Sequence, residues 1–104
     1  MEMVSIEITH SELKALVFVF EQADFKCFNK EFKAVMAISK EIYIKLYKKE
    51  IDKRGKTEKF KLNFKYYEAY ALERFLRGAE LFLSYYQYES NVCLKVANEL
   101  DKKI

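Results

Sequence analysis

Two short segments of the chain, residues 4–8 (VSIEI) and 60–64 (FKLNF), alternate apolar and polar residues. Such alternation predicts a strand with one buried face, because neighbouring side chains in a strand point to opposite sides. A sheet of only two short strands is not stable alone in water. The strands must therefore pair with each other under a cover of helices, or be extended by a second subunit.

The first strand leads directly into a predicted helix. Thr9 is followed three residues later by Glu12, which is the capping-box pattern that satisfies free amide groups at a helix start. Apolar residues at helical spacing predict that this helix runs over 10–23. A turn follows, in which Asn29 is a suitable cap for a second helix that continues to about residue 52.

The second strand is also followed by two predicted helices. The third helix begins near residue 66, and Gly78 is the position at which it can kink or divide. Ser90 is the predicted cap of a fourth helix over 91–103. The resulting order is β-α-α-β-α-α, so the predicted fold class is α+β, predominantly helical, with two short strands and about four helices.

The two halves of the sequence match when the first is shifted by 56 residues. Ile6 then falls on Leu62, and Glu12 falls on Glu68, where a capping glutamate belongs. We predict a single domain that is built from pseudo-repeat halves and a basic connector, with bounds 1–52, 60–104 and 53–59. This symmetry predicts adjacent antiparallel strands with helices on one face and an outer edge available for dimerisation.

The chain carries no motif of a catalytic or cofactor site, such as a glycine-rich phosphate loop or a nucleophile elbow. His10 is the single histidine, and neither Cys27 nor Cys93 lies near it in a metal-ligand spacing. A Cys27–His10 nucleophilic pair has no support beyond the presence of the two residues. Carboxylates such as Glu50 and Glu73 are assigned to solvated helix faces. We therefore predict a non-enzymatic protein with no cofactor and no metal.

Apolar residues occur in short runs along the whole chain. No segment reaches the ~18 uninterrupted apolar residues of a membrane span, and the N-terminus lacks the pattern of a secretory signal. Both cysteines lie in apolar helical patterns, which favours free thiols over a disulfide. These features predict a cytoplasmic protein without membrane contact.

Tyrosines form a second stripe on the predicted third helix, away from its apolar face. Tyrosine is enriched at protein interfaces because it combines a large contact area with a hydroxyl group. The alternative is that the third helix is central and buries both stripes within the chain. The sequence thus predicts a small protein–protein interaction module, self-associating as a homodimer or binding another protein, with a candidate partner surface of Tyr67, Tyr70, Leu81, Tyr85 and Tyr88.

Positive charge is concentrated in residues 45–65, which contain nine basic and three acidic residues. The other residues are net negative, with ten basic and thirteen acidic side chains. A local basic patch is typical of a polyanion partner, and the alternative is a solvated connector. Because lysine predominates over arginine, sequence-specific reading of bases is disfavoured. The second functional prediction is weak, sequence-independent nucleic-acid binding through Lys53, Arg54, Lys56 and Lys59.

Overall fold

The computed structural model of the chain describes residues 3–22, 30–79, 83 and 85–104, and within 30–36 it describes the backbone alone. The described elements follow the order β-α-α-β-α-α, which confirms the predicted α+β, predominantly helical fold. The elements are β1 (Met3–Ile8), α1 (His10–Gln22), α2 (Lys30–Asp52), β2 (Phe60–Lys65), α3 (Tyr66–Ala79) and α4 (Gln87–Lys103).

The two strands pair as an antiparallel sheet, as predicted. Its register places Ile6 opposite Leu62 and Ser5 opposite Asn63. Val4, Ile6 and Ile8 of β1 and Leu62 and Phe64 of β2 are buried against helices, and Phe60 is partly buried. The polar residues between them are exposed or partly exposed on the opposite face. The alternation in the sequence therefore decides which face of the sheet the helices cover.

Capping glutamates fix both strand-to-helix turns. Glu12 Oε1 accepts a hydrogen bond from the Thr9 N–H at 3.0 Å, and the Glu12 N–H donates to Thr9 Oγ1 at 3.2 Å. At the start of α3, Glu68 Oε1 accepts a hydrogen bond from the Lys65 N–H at 2.8 Å. Lys65 takes the place of the capping threonine, and its side chain has no hydrogen-bond acceptor. The second turn therefore keeps the bond to the glutamate and lacks the bond that a threonine oxygen would accept.

The helices pack in a ring in which α1 and α3 each contact both α2 and α4. Each predicted half thus contributes its second helix to the packing of the other half. Phe20 of α1 and Phe75 of α3 stack across the ring, with centroids 4.2 Å apart and an interplanar angle of 14°. A stacked aromatic pair adds about 0.5–1.5 kcal/mol beyond the burial of its area.

The third helix ends near Gly78, where the sequence allows a division, and the fourth helix begins earlier than predicted. α3 ends at Ala79, one residue after Gly78, and α4 begins at Gln87. The predicted cap at Ser90 is wrong, since the Ser90 N–H donates a helical bond to the Tyr86 carbonyl at 2.9 Å. Residues 87–90 are compatible with helix, and no local signal in the sequence excludes them from it. Packing of α4 against α1 and α3 therefore extends the helix by one turn beyond the predicted start.

Two carboxylates that the sequence assigns to solvated faces are buried instead. Glu50 is 6% exposed and Glu73 is 7% exposed. Each has an arginine one turn later: Arg54 Nε lies 2.9 Å from Glu50, and Arg77 Nε lies 2.6 Å from Glu73. The charge-assisted bond offsets the cost of removing each carboxylate from water, so the two glutamates close the core rather than face solvent.

Candidate functional site

Tyrosine and phenylalanine occupy different parts of the molecule. Phe20, Phe64 and Phe75 are buried, whereas seven of the eight tyrosines are at least 40% exposed. The alternative in which α3 buries its tyrosine stripe is therefore wrong for Tyr67 and Tyr70. An exposed aromatic surface of this kind is unusual for side chains that serve packing alone.

The five residues of the predicted partner surface do not form one patch. Tyr67 and Tyr70 lie near the start of α3, whereas Tyr85 and Tyr88 border the start of α4. Leu81 lies outside the described residues. The prediction placed all five residues on one continuous helix, but α3 ends at Ala79 and Tyr88 belongs to α4. The tyrosines therefore do not share one helix face.

The two groups of tyrosines lie at opposite ends of α4. Tyr66 Oη donates a hydrogen bond to the Ile104 carbonyl at 3.0 Å, so the start of α3 lies beside the end of α4. Tyr88 is close to the first residue of α4, which places it roughly 24 Å from Ile104 at 1.5 Å per helical residue. The predicted surface is therefore two separate sites.

The site at the start of α4 is attached to α1. Tyr88 Oη lies 2.8 Å from Ser11 Oγ, at hydrogen-bond distance. The Tyr86 ring meets Phe18 edge to face, with centroids 5.0 Å apart. Tyr85, in contrast, is 94% exposed. This site consequently offers one free tyrosine.

The site at the start of α3 is a cleft of about 740 Å³ between α3 and the end of α4. We call it the Tyr–Arg cleft. It holds two of the chain's three arginines and one residue of the predicted partner surface, Tyr70. The cleft is lined by Tyr66, Tyr70, Glu73, Arg74, Arg77, Gly78, Asp101 and Ile104.

The two arginines of the Tyr–Arg cleft differ in their contacts. Arg77 is held by Glu73, and its Nη2 also donates to Asn98 Oδ1 at 3.2 Å. Arg74 donates to Tyr70 Oη from Nε at 3.3 Å and from Nη2 at 3.0 Å. These hydrogen bonds raise the pKa of Arg74 above its usual range, so the guanidinium stays charged.

One cation and one anion in the cleft have no ionic partner among the described residues. Neither Arg74 nor Asp101 forms an ion pair with any residue that the structure describes. Arg77 and Glu73 neutralise each other, so the four charged side chains of the cleft have no net charge. The Tyr–Arg cleft therefore presents one guanidinium and one carboxylate with unused ion-pairing capacity.

The outer edges of the sheet are covered by lysines. Lys103 of α4 donates to the carbonyl of Ser5, and Lys45 of α2 donates to the carbonyl of Asn63. Ser5 and Asn63 are cross-strand partners, and carbonyls that accept bonds from outside the sheet face away from the other strand. The predicted free edge is therefore occupied at this pair, by the charged side chains that commonly prevent edge pairing.

The four candidate polyanion contacts are not equivalent. Lys53, Lys56 and Lys59 line a groove of about 300 Å³ along the connector. Arg54 instead bonds the buried Glu50 carboxylate and does not line this groove. The connector thus keeps three of the four predicted cationic contacts.

Glu12 links the start of α1 to α4. Its Oε2 accepts a hydrogen bond from Lys95 Nζ at 2.6 Å. Burial alone would raise the pKa of Glu12, but the bonds from Lys95 and Thr9 outweigh it and hold the pKa below its ordinary value. The same bond to Glu12 raises the pKa of Lys95. This ion pair therefore depends on both side chains keeping their charge.

His10 contributes to the contact between the first two helices. Its buried Nε2 has no hydrogen-bond partner among the described residues and lies 3.6 Å from Glu50 Oε1. The described residues contain no group of three or more His, Cys, Asp or Glu side chains able to hold a metal. Cys93 is buried in α4, and Cys27, which the nucleophilic pair requires, lies outside the described residues.

An apolar stripe on α2 was not predicted. Ile44, Tyr47 and Ile51 are 53%, 44% and 46% exposed, and they face away from the buried Leu46. Their spacing of three and then four residues is the sequence signal for a second helix face. The signal is easily missed because the buried stripe of the same helix contains more apolar residues.

Comparison with known proteins finds no family model, curated protein or solved structure that matches this chain. Within the described part of the chain, none of the helices has the length and apolarity needed to cross a membrane. The function is therefore inferred from the geometry of the chain's own surfaces.

Proposed function

We propose that this protein is a small, non-enzymatic interaction module that self-associates through the Tyr–Arg cleft. The observation that carries the proposal is the presence of Arg74 and Asp101 in one cleft, each without an ion pair in the described chain. In a two-fold contact each surface meets a copy of itself. Arg74 of one copy then pairs with Asp101 of the other, and the pair forms twice.

The composition of the Tyr–Arg cleft also supports binding to a protein surface. Tyrosine and arginine are enriched among the residues that contribute most to protein–protein affinity. Tyr66 and Tyr70 are both exposed, and Arg74 lies over the Tyr70 ring with its guanidinium carbon 5.2 Å from the centroid. This contact orders the Arg74 side chain before association, which lowers the entropic cost of binding.

Charge balance favours a second copy over a strongly charged partner. A cleft with two cations and two anions meets its own copy without net repulsion. Among the described residues that line the cleft there is no serine, cysteine or histidine, and of its two carboxylates Glu73 is paired with Arg77. Binding is therefore the role that these side chains support best.

Helices, rather than sheet edges, are the surfaces available for the contact. Strand addition at the Ser5–Asn63 pair would have to displace the ammonium groups of Lys103 and Lys45. An ammonium on an outward carbonyl is a common obstacle to edge-to-edge pairing. Self-association through the α3–α4 side avoids this cost.

Sedimentation velocity of the free protein tests the proposal. A contact confined to one cleft predicts a dissociation constant between about 1 μM and about 1 mM, so the sedimenting mass should double across that range. Tyr70→Ala should weaken association by roughly tenfold, as expected for an interface tyrosine. Tyr85→Ala is the matched control, because Tyr85 is exposed at the other end of α4. A single-copy mass at about 1 mM, or equal effects of the two variants, contradicts the proposal.

A further inference from the structure

Two grooves meet at Lys59, on the side of the molecule formed by the connector and the outer edge of β1. The first is the connector groove, and the second, of about 410 Å³, extends along β1 to the end of α4. We call the two together the lysine groove, and its lysines are Lys53, Lys56, Lys59, Lys61, Lys95 and Lys103. We propose that the lysine groove binds the phosphate backbone of a single-stranded nucleic acid.

The side chains that line the lysine groove carry a formal net charge of +3, which equals that of the whole chain. Six lysines and three glutamates, Glu7, Glu58 and Glu99, line it. The formal charge of the chain is +3, so its remaining thirteen basic and thirteen acidic residues cancel. The fold adds Lys103 of α4 to the basic segment, whereas Lys95, which also lines the groove, is paired with Glu12 at 2.6 Å. The electropositive surface thus combines distant parts of the sequence. Such a surface is the electrostatic footprint of a polyanion site.

The backbone of β1 supplies a further donor to the groove. Ser5 lines the groove, and its carbonyl accepts a hydrogen bond from Lys103. The carbonyl therefore points away from β2, and the Ser5 N–H points to the same side, since both groups of a strand residue share a direction. An outward amide beside ammonium groups suits a phosphate oxygen, which accepts from both.

Lysine in place of arginine indicates contacts to phosphate rather than to bases. A lysine ammonium acts as a point charge with three donors, whereas arginine provides the bidentate fork that reads guanine. Lys59 and Lys61 are two residues apart, about 6.7 Å in an extended chain. That separation allows one linear polyanion to contact both lysines in turn.

An aromatic side chain at the junction distinguishes a nucleic acid from an acidic peptide. Phe60 lines the connector groove, is partly buried against the hydrophobic core, and has Lys53 Nζ over its ring, 5.1 Å from the centroid. Base stacking on an aromatic ring beside a cationic groove is the usual mode of sequence-independent binding to single strands. A peptide of carboxylates has no flat ring to place there.

Fluorescence anisotropy with a labelled oligothymidylate of about 20 nucleotides tests the inference. If four of the six groove lysines contact phosphates, the logarithm of the binding constant should fall with the logarithm of the salt concentration with a slope of about −2.8. The affinity should then fall roughly 50-fold between about 50 mM and about 200 mM salt. Lys103→Gln should reduce the slope by about 0.7, and its neighbour provides the matched control. Lys102 is exposed but lines neither groove, so Lys102→Gln should leave the slope unchanged.

A second pair of variants compares a lysine inside the groove with a lysine outside it. Lys59 lies where the grooves meet, and Lys14 is an exposed lysine of α1 outside them. Lys59→Gln should weaken binding several-fold, whereas Lys14→Gln should not. Absence of binding at about 50 mM salt, equal slopes for the Lys102 and Lys103 variants, or equally strong competition by poly-glutamate would overturn the inference.

Discussion

Ile6 of β1 lies directly opposite Leu62 of β2, and the same two residues are 56 positions apart, the separation that relates the two halves of the sequence. A two-fold axis through this pair exchanges β1 with β2. The predicted repeat would also exchange α1 and α2 with α3 and α4, and the contacts of α2 with α3 and of α4 with α1 agree with it. The internal repeat stays a prediction, and the Ile6–Leu62 pairing supports it.

The Ile6–Leu62 pair predicts a coupled loss of stability. Both side chains are buried, so Ile6→Ala and Leu62→Ala should each lower the free energy of unfolding by about 2–5 kcal/mol. Because the residues are cross-strand neighbours, the double variant should depart from additivity by at least about 0.5 kcal/mol. Urea denaturation of the four proteins measures this, and strictly additive losses would count against the pairing.

The strands and their turns could be predicted because their signals are local. Alternation identifies the buried residues of β1 and β2, and Thr9 and Glu12 three residues apart identify the start of α1. Gly78 marks a position at which the third helix can divide, and α3 ends one residue later, but the start of α4 at Gln87 could not be predicted, because the tyrosine-rich segment before it contains neither proline nor glycine. Where the pattern has no interruption, tertiary packing decides where a helix ends.

The Tyr–Arg cleft could be predicted only in part. Tyr70 was identified from its position on a second helix face, but Arg74 and Asp101 are brought together when the end of α4 returns to α3. The burial of Glu50 and Glu73 was missed for a similar reason. Each of the two glutamates has one charged and one apolar sequence neighbour, and its burial depends on an arginine that reaches back one turn to cover it.

The two capping glutamates should contribute unequally to the free energy of unfolding. Glu12 bonds the Thr9 N–H and Lys95, whereas Glu68 bonds the Lys65 N–H and lies 3.7 Å from Lys45. Glu12→Ala should therefore lower the free energy of unfolding by about 1–2 kcal/mol, and Glu68→Ala should cost less. Equal losses in urea denaturation would show that the Glu12–Lys95 bond has no net effect.

The Glu12–Lys95 pair predicts a specific pH dependence of stability. The pKa of Glu12 is lower in the folded protein, so its contribution is present above the unfolded pKa and is lost as pH falls through the folded pKa. The pKa of Lys95 is raised, so its contribution is present below the unfolded pKa and is lost as pH rises through the folded pKa.

Glu12→Gln should therefore flatten the acid limb of the stability curve. The effect should begin near the unfolded glutamate pKa of about 4.3 and grow towards lower pH. Urea midpoints of wild type and variant, measured from neutral to acidic pH, provide the comparison. If both proteins lose stability with the same slope, Glu12 is not the group that titrates.

We expect the lysines that cover the strand edges to limit aggregation of the protein. Replacing Lys45 and Lys103 with alanine uncovers the outward carbonyls of Asn63 and Ser5. Edge-to-edge pairing should then become possible, and light scattering should increase with time and concentration. Replacing the exposed Lys48 and Lys102 removes the same charge from other positions and is the control. Equal scattering by the two double variants would assign the effect to net charge alone.

The central claim is that Arg74 and Asp101 pair between two copies of the chain. Arg74→Asp and Asp101→Arg should each place like charges in contact, and each should weaken self-association at least about tenfold. The double variant Arg74→Asp/Asp101→Arg exchanges the charges and should restore the pair in reverse. Sedimentation velocity of the four proteins is the most direct measurement. Recovery in the double variant is the predicted result, and a double variant as weak as its single parents would contradict the account.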